Sequence, residues 1–229
     1  MTTPTFDNVF SLYYTLYRAE ATVPASTEDE YTIALRFANE AVARWATYDN
    51  TYWRQLFRTA QTASTGGVVT TTAGTATYAA PTAFKEAGGF IKLKNSAGIT
   101  VQSIPIIEPQ EAQFRGDNSS YAYFTSVAGG AYTLHLNTAP TTSGLLIDYV
   151  YYAKPTEFAT GSSTTECPNA EMLCHRMLGM RFRASRNPYY QDAIDDAEDA
   201  LHIMKMDNDS GNWADPWKVA DNSGSMFGV

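Results

Sequence analysis

Charge is scarce in this sequence. Asp, Glu, Lys and Arg make up only 17% of its 229 residues, against about 25% in ordinary globular domains. Thr, Ser, Asn, Gly and Tyr must therefore cover much of the surface, and such a surface suits burial against other subunits. Two cysteines cannot build a disulfide framework. Three histidines leave few side chains that titrate near neutrality. No run of about 18 apolar residues occurs, which excludes a membrane-spanning helix. The opening Met1-Thr2-Thr3-Pro4 lacks the basic and apolar regions of a secretory signal, so none is expected. G-x-S-x-G, the P-loop, H-E-x-x-H and G-x-G-x-x-G are missing too. No catalytic residue, metal or cofactor is expected.

What charge there is sums to a formal −8. Nucleic-acid capture rests on Lys and Arg neutralising phosphates, so this balance argues against it. It does not exclude a protein that DNA merely passes. The length fits one elaborated domain, or a domain carrying an inserted module. A chain of this size buries about 70–75% of its unfolded surface without metal or disulfide.

Residues 6–60 read as helical. Phe6, Val9, Phe10, Tyr13, Leu16 and Tyr17 recur at three- and four-residue spacing and give one apolar stripe. Pro24 and Ser26 interrupt it. Thr27-Glu28-Asp29-Glu30 has the form of a capping box, with Thr27 as N-cap. Behind it Ile33, Phe37, Ala41 and Trp45 fall on one face, flanked by Ala34, Ala38 and Val42.

From about residue 62 the character changes. Val68–Thr72, Phe90–Lys94, Ser103–Ile107, Tyr121–Val127, Ala131–Leu136 and Leu145–Tyr152 predict strands. Gly129-Gly130 signals a hairpin between two of them. Helix returns after residue 166. Pro168 suits a first helical position, with Cys167 before it as a poor N-cap. Leu173, Met177, Met180 and Ala184 share a face. Asn187-Pro188 offers an N-cap followed by proline, and Tyr190, Ile194, Ala197, Leu201 and Met204 form a heptad-like seam. These two helices predict an antiparallel hairpin packed on the N-terminal helix. Periodicity stops at Asp207. The predicted fold class is α+β: a discontinuous helical bundle (1–61 and 161–206), an inserted antiparallel β module (62–160) and an irregular C-terminal tail (207–229).

Four groups of side chains could carry function. Asp192, Asp195, Asp196 and Asp199 fall at i, i+3, i+4 and i+7, with Glu198 beside them. They form either a solvated face or an electrostatic wall against a polyanion. Cys167, Cys174 and His175 cluster in sequence, but the cysteines sit about 10 Å apart along a helix. Reduced core thiols fit better than a zinc site or a disulfide. His135 alternates onto the polar face of a strand. Asp207-Asn208-Asp209-Ser210-Gly211-Asn212 looks like a calcium loop, yet its glycine comes early and Lys218 stands where a bidentate Glu belongs. Trp213, Trp217 and Phe227 lie in a polar tail that cannot form its own core. Such residues pack back on the domain or bury in a partner.

Three stretches carry a resemblance. The first is the helix from Tyr31 to Trp45. The second pairs Thr133-Leu134-His135-Leu136-Asn137-Thr138-Ala139-Pro140 with Leu145-Leu146-Ile147-Asp148-Tyr149-Val150-Tyr151-Tyr152-Ala153-Lys154-Pro155. The third is Cys167-Pro168-Asn169-Ala170-Glu171 opening a helix, followed by an Ala- and acid-rich helix ending Met204-Lys205-Met206. Over about residues 28–206 this layout resembles the head-to-tail adaptor (connector) proteins of tailed bacteriophages, in particular the upper tail tubular family. The resemblance implies a non-catalytic virion protein at the head–tail junction, in a homo-oligomeric ring, a dodecamer, that extends the DNA channel. Its implied partners are the portal protein, the downstream tail or nozzle protein and other copies of the chain, with no cofactor. On this reading Trp213, Trp217 and Phe227 meet the portal, and Asp192, Asp195, Asp196 and Asp199 face the channel. Tyr121, Tyr123 and Tyr132 meet a subunit or the tail. The alternatives are a tail-completion or neck protein, and a host-surface binding module using the same tyrosines.

Overall fold

In the computed structural model, the described residues are 3–19, 24–60, 69–116 and 119–209. The helices are α1 (Phe6–Arg18), α2 (Asp29–Ala46), the short α3 (Pro109–Ala112), α4 (Ala170–Ala184) and α5 (Tyr190–Asp209). The strands are β1 (Phe57–Thr59), β2 (Thr77–Ala79), β3 (Phe84–Ala87), β4 (Phe90–Lys94), β5 (Thr100–Pro105), β6 (Ala122–Ser126), β7 (Tyr132–Leu136), β8 (Leu146–Asp148) and β9 (Val150–Ala153). The fold is α+β. The described residues divide into a helical unit, 3–56 with 155–209, and a β unit, 57–154.

The helical unit is built around α4, which packs against α1, α2 and α5. Thr5 starts α1: its hydroxyl oxygen accepts from the Asn8 N–H at 3.3 Å. Phe6, Val9, Phe10, Tyr13 and Tyr14 are buried, whereas Leu16 points outward, so the stripe turns through Tyr14 instead. Phe6 and Phe10 both meet the Tyr31 ring edge-on, at 5.1 and 5.3 Å. The expected capping box does not form. Helix α2 starts at Asp29, and the Glu28 carboxylate turns back to accept from the Ala25 N–H at 3.0 Å. The buried face of α2 is Tyr31, Ala34, Ala38, Ala41, Val42, Trp45 and Ala46. Ile33 and Phe37 lie outside it, because the short alanines present the closer surface for packing.

Helix α4 begins two residues later than expected. Asn169, not Cys167, is its N-cap and accepts from the Met172 N–H at 2.9 Å. Its buried residues run from Met172 to Gly179, and Ala184 is exposed. The next helix also starts later than Asn187-Pro188 predicts: Asn187 Oδ1 accepts from the Tyr189 N–H at 3.0 Å in the turn ahead of it, and α5 is regular from Tyr190. That helix also outruns the expected end at Met206: Asp207, Asn208 and Asp209 complete it, and Asn208 is buried. Two polar contacts, one long-range and one local, close the unit. The Asn39 amide exchanges a reciprocal pair of hydrogen bonds with the Phe158 backbone, at 3.0 and 2.8 Å. The Trp53 indole N–H donates to the Trp45 carbonyl at 2.7 Å.

The β unit holds three small antiparallel sheets, ordered β1-β9-β3, β2-β7-β6 and β5-β4-β8. Phe84, Ile91, Leu93, Ile104, Leu134, Leu136, Ile147, Tyr149 and Tyr151 form its common core. Gly129 and Gly130 both take left-handed φ, 86° and 76°. They close the β6–β7 hairpin, where the Val127 N–H donates to the Ala131 carbonyl. The predicted strand Leu145–Tyr152 divides at the buried Tyr149 into β8 and β9, which belong to different sheets. Thr70 makes only an isolated bridge to Leu146, and Val68 lies outside the described residues.

Candidate interaction surfaces

Helix α5 carries two kinds of acid. Glu198 turns inward. Its two carboxylate oxygens accept from Arg44 of α2 at 3.0 and 2.7 Å, and Arg176 of α4 lies 3.4 Å away. The hydrogen bonds it donates to Glu198 hold the Arg44 guanidinium further above its usual range. Asp192, Asp195, Asp196 and Asp199 stand on the exposed face. Asp195 accepts from Gln191 at 2.8 Å, and Asp196 lies 3.5 Å from His175 Nδ1. One carboxylate thus pins α5 to its neighbours, and four leave a negative face outside.

The tyrosines of the β unit separate. Tyr121 is buried, and its hydroxyl donates to the Ala112 carbonyl at 3.3 Å. It is a packing residue and offers no surface. Tyr123 and Tyr132 are partly exposed. Tyr123 stacks on His135 at 4.8 Å, and His135 Nε2 shares a hydrogen bond with Thr125 at 2.8 Å. The Tyr132 ring packs on Phe84 at 5.0 Å, with the Lys154 ammonium 5.6 Å from its centre. The more open apolar surface of this unit went unweighed in the sequence. Ile99 and Val101 are 62% and 54% exposed and Phe114 is 87% exposed. The signal was there: residues 95–107 carry no charge at all.

Cys167 and Cys174 are free and buried. Burial pushes both thiols up to about 12, so they stay protonated and inert at neutral pH. Among the described residues no cluster of three or more His, Cys, Asp or Glu could hold a metal, and no helix is long and apolar enough to cross a membrane. Trp213, Trp217 and Phe227 lie outside the described residues.

The geometry is therefore one of surfaces. The family model described as SU10 adaptor protein matches residues 13–220. The chain belongs to that family, a family of phage head-to-tail adaptors. No curated protein matches the sequence. The match agrees with the resemblance drawn from Tyr31–Trp45, the paired strands and the two last helices. It supports a phage adaptor role, a place among the components of the virion and a non-enzymatic part in it.

Proposed function

We propose that the adaptor forms a ring between portal and tail, extends the DNA channel and docks the next tail component. The family match over residues 13–220 carries this reading. The outward carboxylates of α5 support it. A negative wall repels a polyanion at every register, so DNA finds no stationary site and slides. Neighbouring copies meet through the sparsely charged surface, including Ile99, Val101, Tyr123 and Tyr132. Trp213, Trp217 and Phe227 serve as aromatic anchors on the portal.

Particles carrying a tagged chain test the placement. Gold at the head–tail junction, with about twelve copies per particle as the resemblance implies for a closed ring, is the expected result. Label on fibres or the tail tip overturns it. Channel placement of the stripe has its own test. Replacing Asp192, Asp195, Asp196 and Asp199 with Asn should slow DNA ejection, and unchanged kinetics would reject it.

A further inference from the structure

Asn208 fixes where the C-terminal segment begins. Its side-chain oxygen accepts from the Arg54 N–H at 3.1 Å, and its amide donates to the Tyr52 carbonyl at 3.0 Å. The Arg54 guanidinium donates to the Asp207 carbonyl. These bonds satisfy groups that a free helix end would leave to water. Beside this pinned end is a groove of about 780 Å³. Trp53, Pro168, Ala170, Ile203 and Met204 give it apolar walls, and Arg54 stands among them. Ile203 is 60% exposed. With Trp53, Pro168, Ala170 and Met204 it borders a concave, mainly apolar face, the form of surface that bound groups occupy.

We propose that this groove seats the start of the chain's own C-terminal segment, residues 210–214, with Trp213 as the side chain that enters. Reach allows it. Trp213 is the fourth residue after Asp209, so at most about 14 Å of extended chain separates them. Asp207 and Asn208 themselves line the groove. Chemistry favours it. An indole covers Ile203 and Met204 with a large apolar face, and a guanidinium over that face adds a cation–π attraction. Tethering favours the same chain over another copy, because a short linker holds its cargo at millimolar effective concentration. The proposal goes beyond the adaptor reading and does not need it. Where both hold, groove and portal compete for Trp213, and docking on the portal withdraws it from the groove.

The test uses the full chain labelled with 5-fluorotryptophan, which reports Trp45, Trp53, Trp213 and Trp217 separately. Trp213→Phe assigns its resonance. The Trp213 signal should be shielded from solvent, with little shift between H2O and D2O, and should not move on tenfold dilution. Ile203→Asp should bring it to the position and full solvent shift of a free indole. Met204→Gln provides a milder variant should Ile203→Asp misfold, and Ile33→Asp, at an exposed apolar site on α2, should leave it unchanged. A Trp213 signal already solvent-exposed in the unaltered chain overturns the proposal. So does shielding that survives both groove variants. Shielding lost on dilution assigns the groove to a second copy's tail, and a response at Trp217 alone removes Trp213 from it.

Discussion

The helical unit and the β unit solve different problems of closure. In the helical unit two carboxylates are each shared between two arginines on different helices. Glu30 of α2 lies between Arg18 of α1 and Arg181 of α4, at 3.7 and 3.3 Å. Glu198 of α5 lies between Arg44 of α2 and Arg176 of α4, at 2.7 and 3.4 Å. These clamps join segments more than a hundred residues apart in the chain. In the β unit the charged contact between strands is Lys94 with Asp148, and shape comes from turns. Among the described residues all the left-handed glycines belong to the β unit, and the left-handed residues of the helical unit, Ala19, Asp49, Asn50 and Arg186, all carry side chains. Long-range charge closes one unit, and local backbone freedom closes the other.

Phe84→Ala should break the comparison most forcibly. Phe84 is 1% exposed and its ring meets Phe124 at 4.4 Å, Tyr132 at 5.0 Å and Tyr151 at 5.8 Å. Truncation should cost about 3–5 kcal/mol. Hydrogen exchange should quicken in the β unit, and equal quickening in α4 would show that the two units do not keep separate stabilities.

Gly179→Val comes next. A Cβ at Gly179 would stand 2.6 Å from Ile194 Cγ1, so the glycine is what lets α4 and α5 approach. Denaturant unfolding should lose about 1–3 kcal/mol. No loss would mean that Ile194 simply moves aside.

Glu198→Gln tests the clamps themselves. Glu198 and its arginines are partly exposed, so solvent screening limits the loss to about 1–2 kcal/mol. A double-mutant cycle of Glu198→Gln with Arg44→Met should show coupling above about 0.5 kcal/mol. Coupling near zero would make the clamp a matter of solubility alone.

The smallest effect should be that of Asp49 with Lys205. The hydrogen bond from the Lys205 ammonium holds the Asp49 carboxyl below its ordinary value of 3.8. A lowered folded value means the pair stabilises above pH 3.8 and the contribution fades as pH falls through the folded value. NMR titration should find Asp49 protonating below 3.8, and Lys205→Met should return it to the ordinary range.

The helices were legible because a 3.6-residue period survives in any single sequence, and so were the long strands with turn glycines between them. The face of α2 was not. Periodicity marks a stripe about 100° wide, and Ile33-Phe37 and Ala34-Ala38 are adjacent edges of it. Packing chose the edge that lets the helices come closest. Strands β1, β2 and β3 have only three or four residues, too few to show alternation. Among the surfaces, the outward set of acids on α5 could be read from spacing. The inward turn of Glu198 could not, since Arg44 is 154 residues away. Asn208, expected in the irregular tail, is a helix residue for a related reason: Asp-Asn-Asp-Ser has no apolar period, and its partners, Tyr52 and Arg54, are far away in sequence.

The split of the helical unit dictates an order of events during synthesis. Helices α1 and α2 emerge with Phe6, Phe10, Tyr31 and Trp45 only partly covered, because α4, the helix they both pack on, has not yet been made. Arg44 waits 154 residues for Glu198, about 8–30 s at ordinary rates of translation. The described residues of the β unit all lie between Phe57 and Lys154 and can complete their sheets within that interval. Until α4 and α5 arrive, the nascent chain is a finished β unit trailing a sticky N-terminal arm.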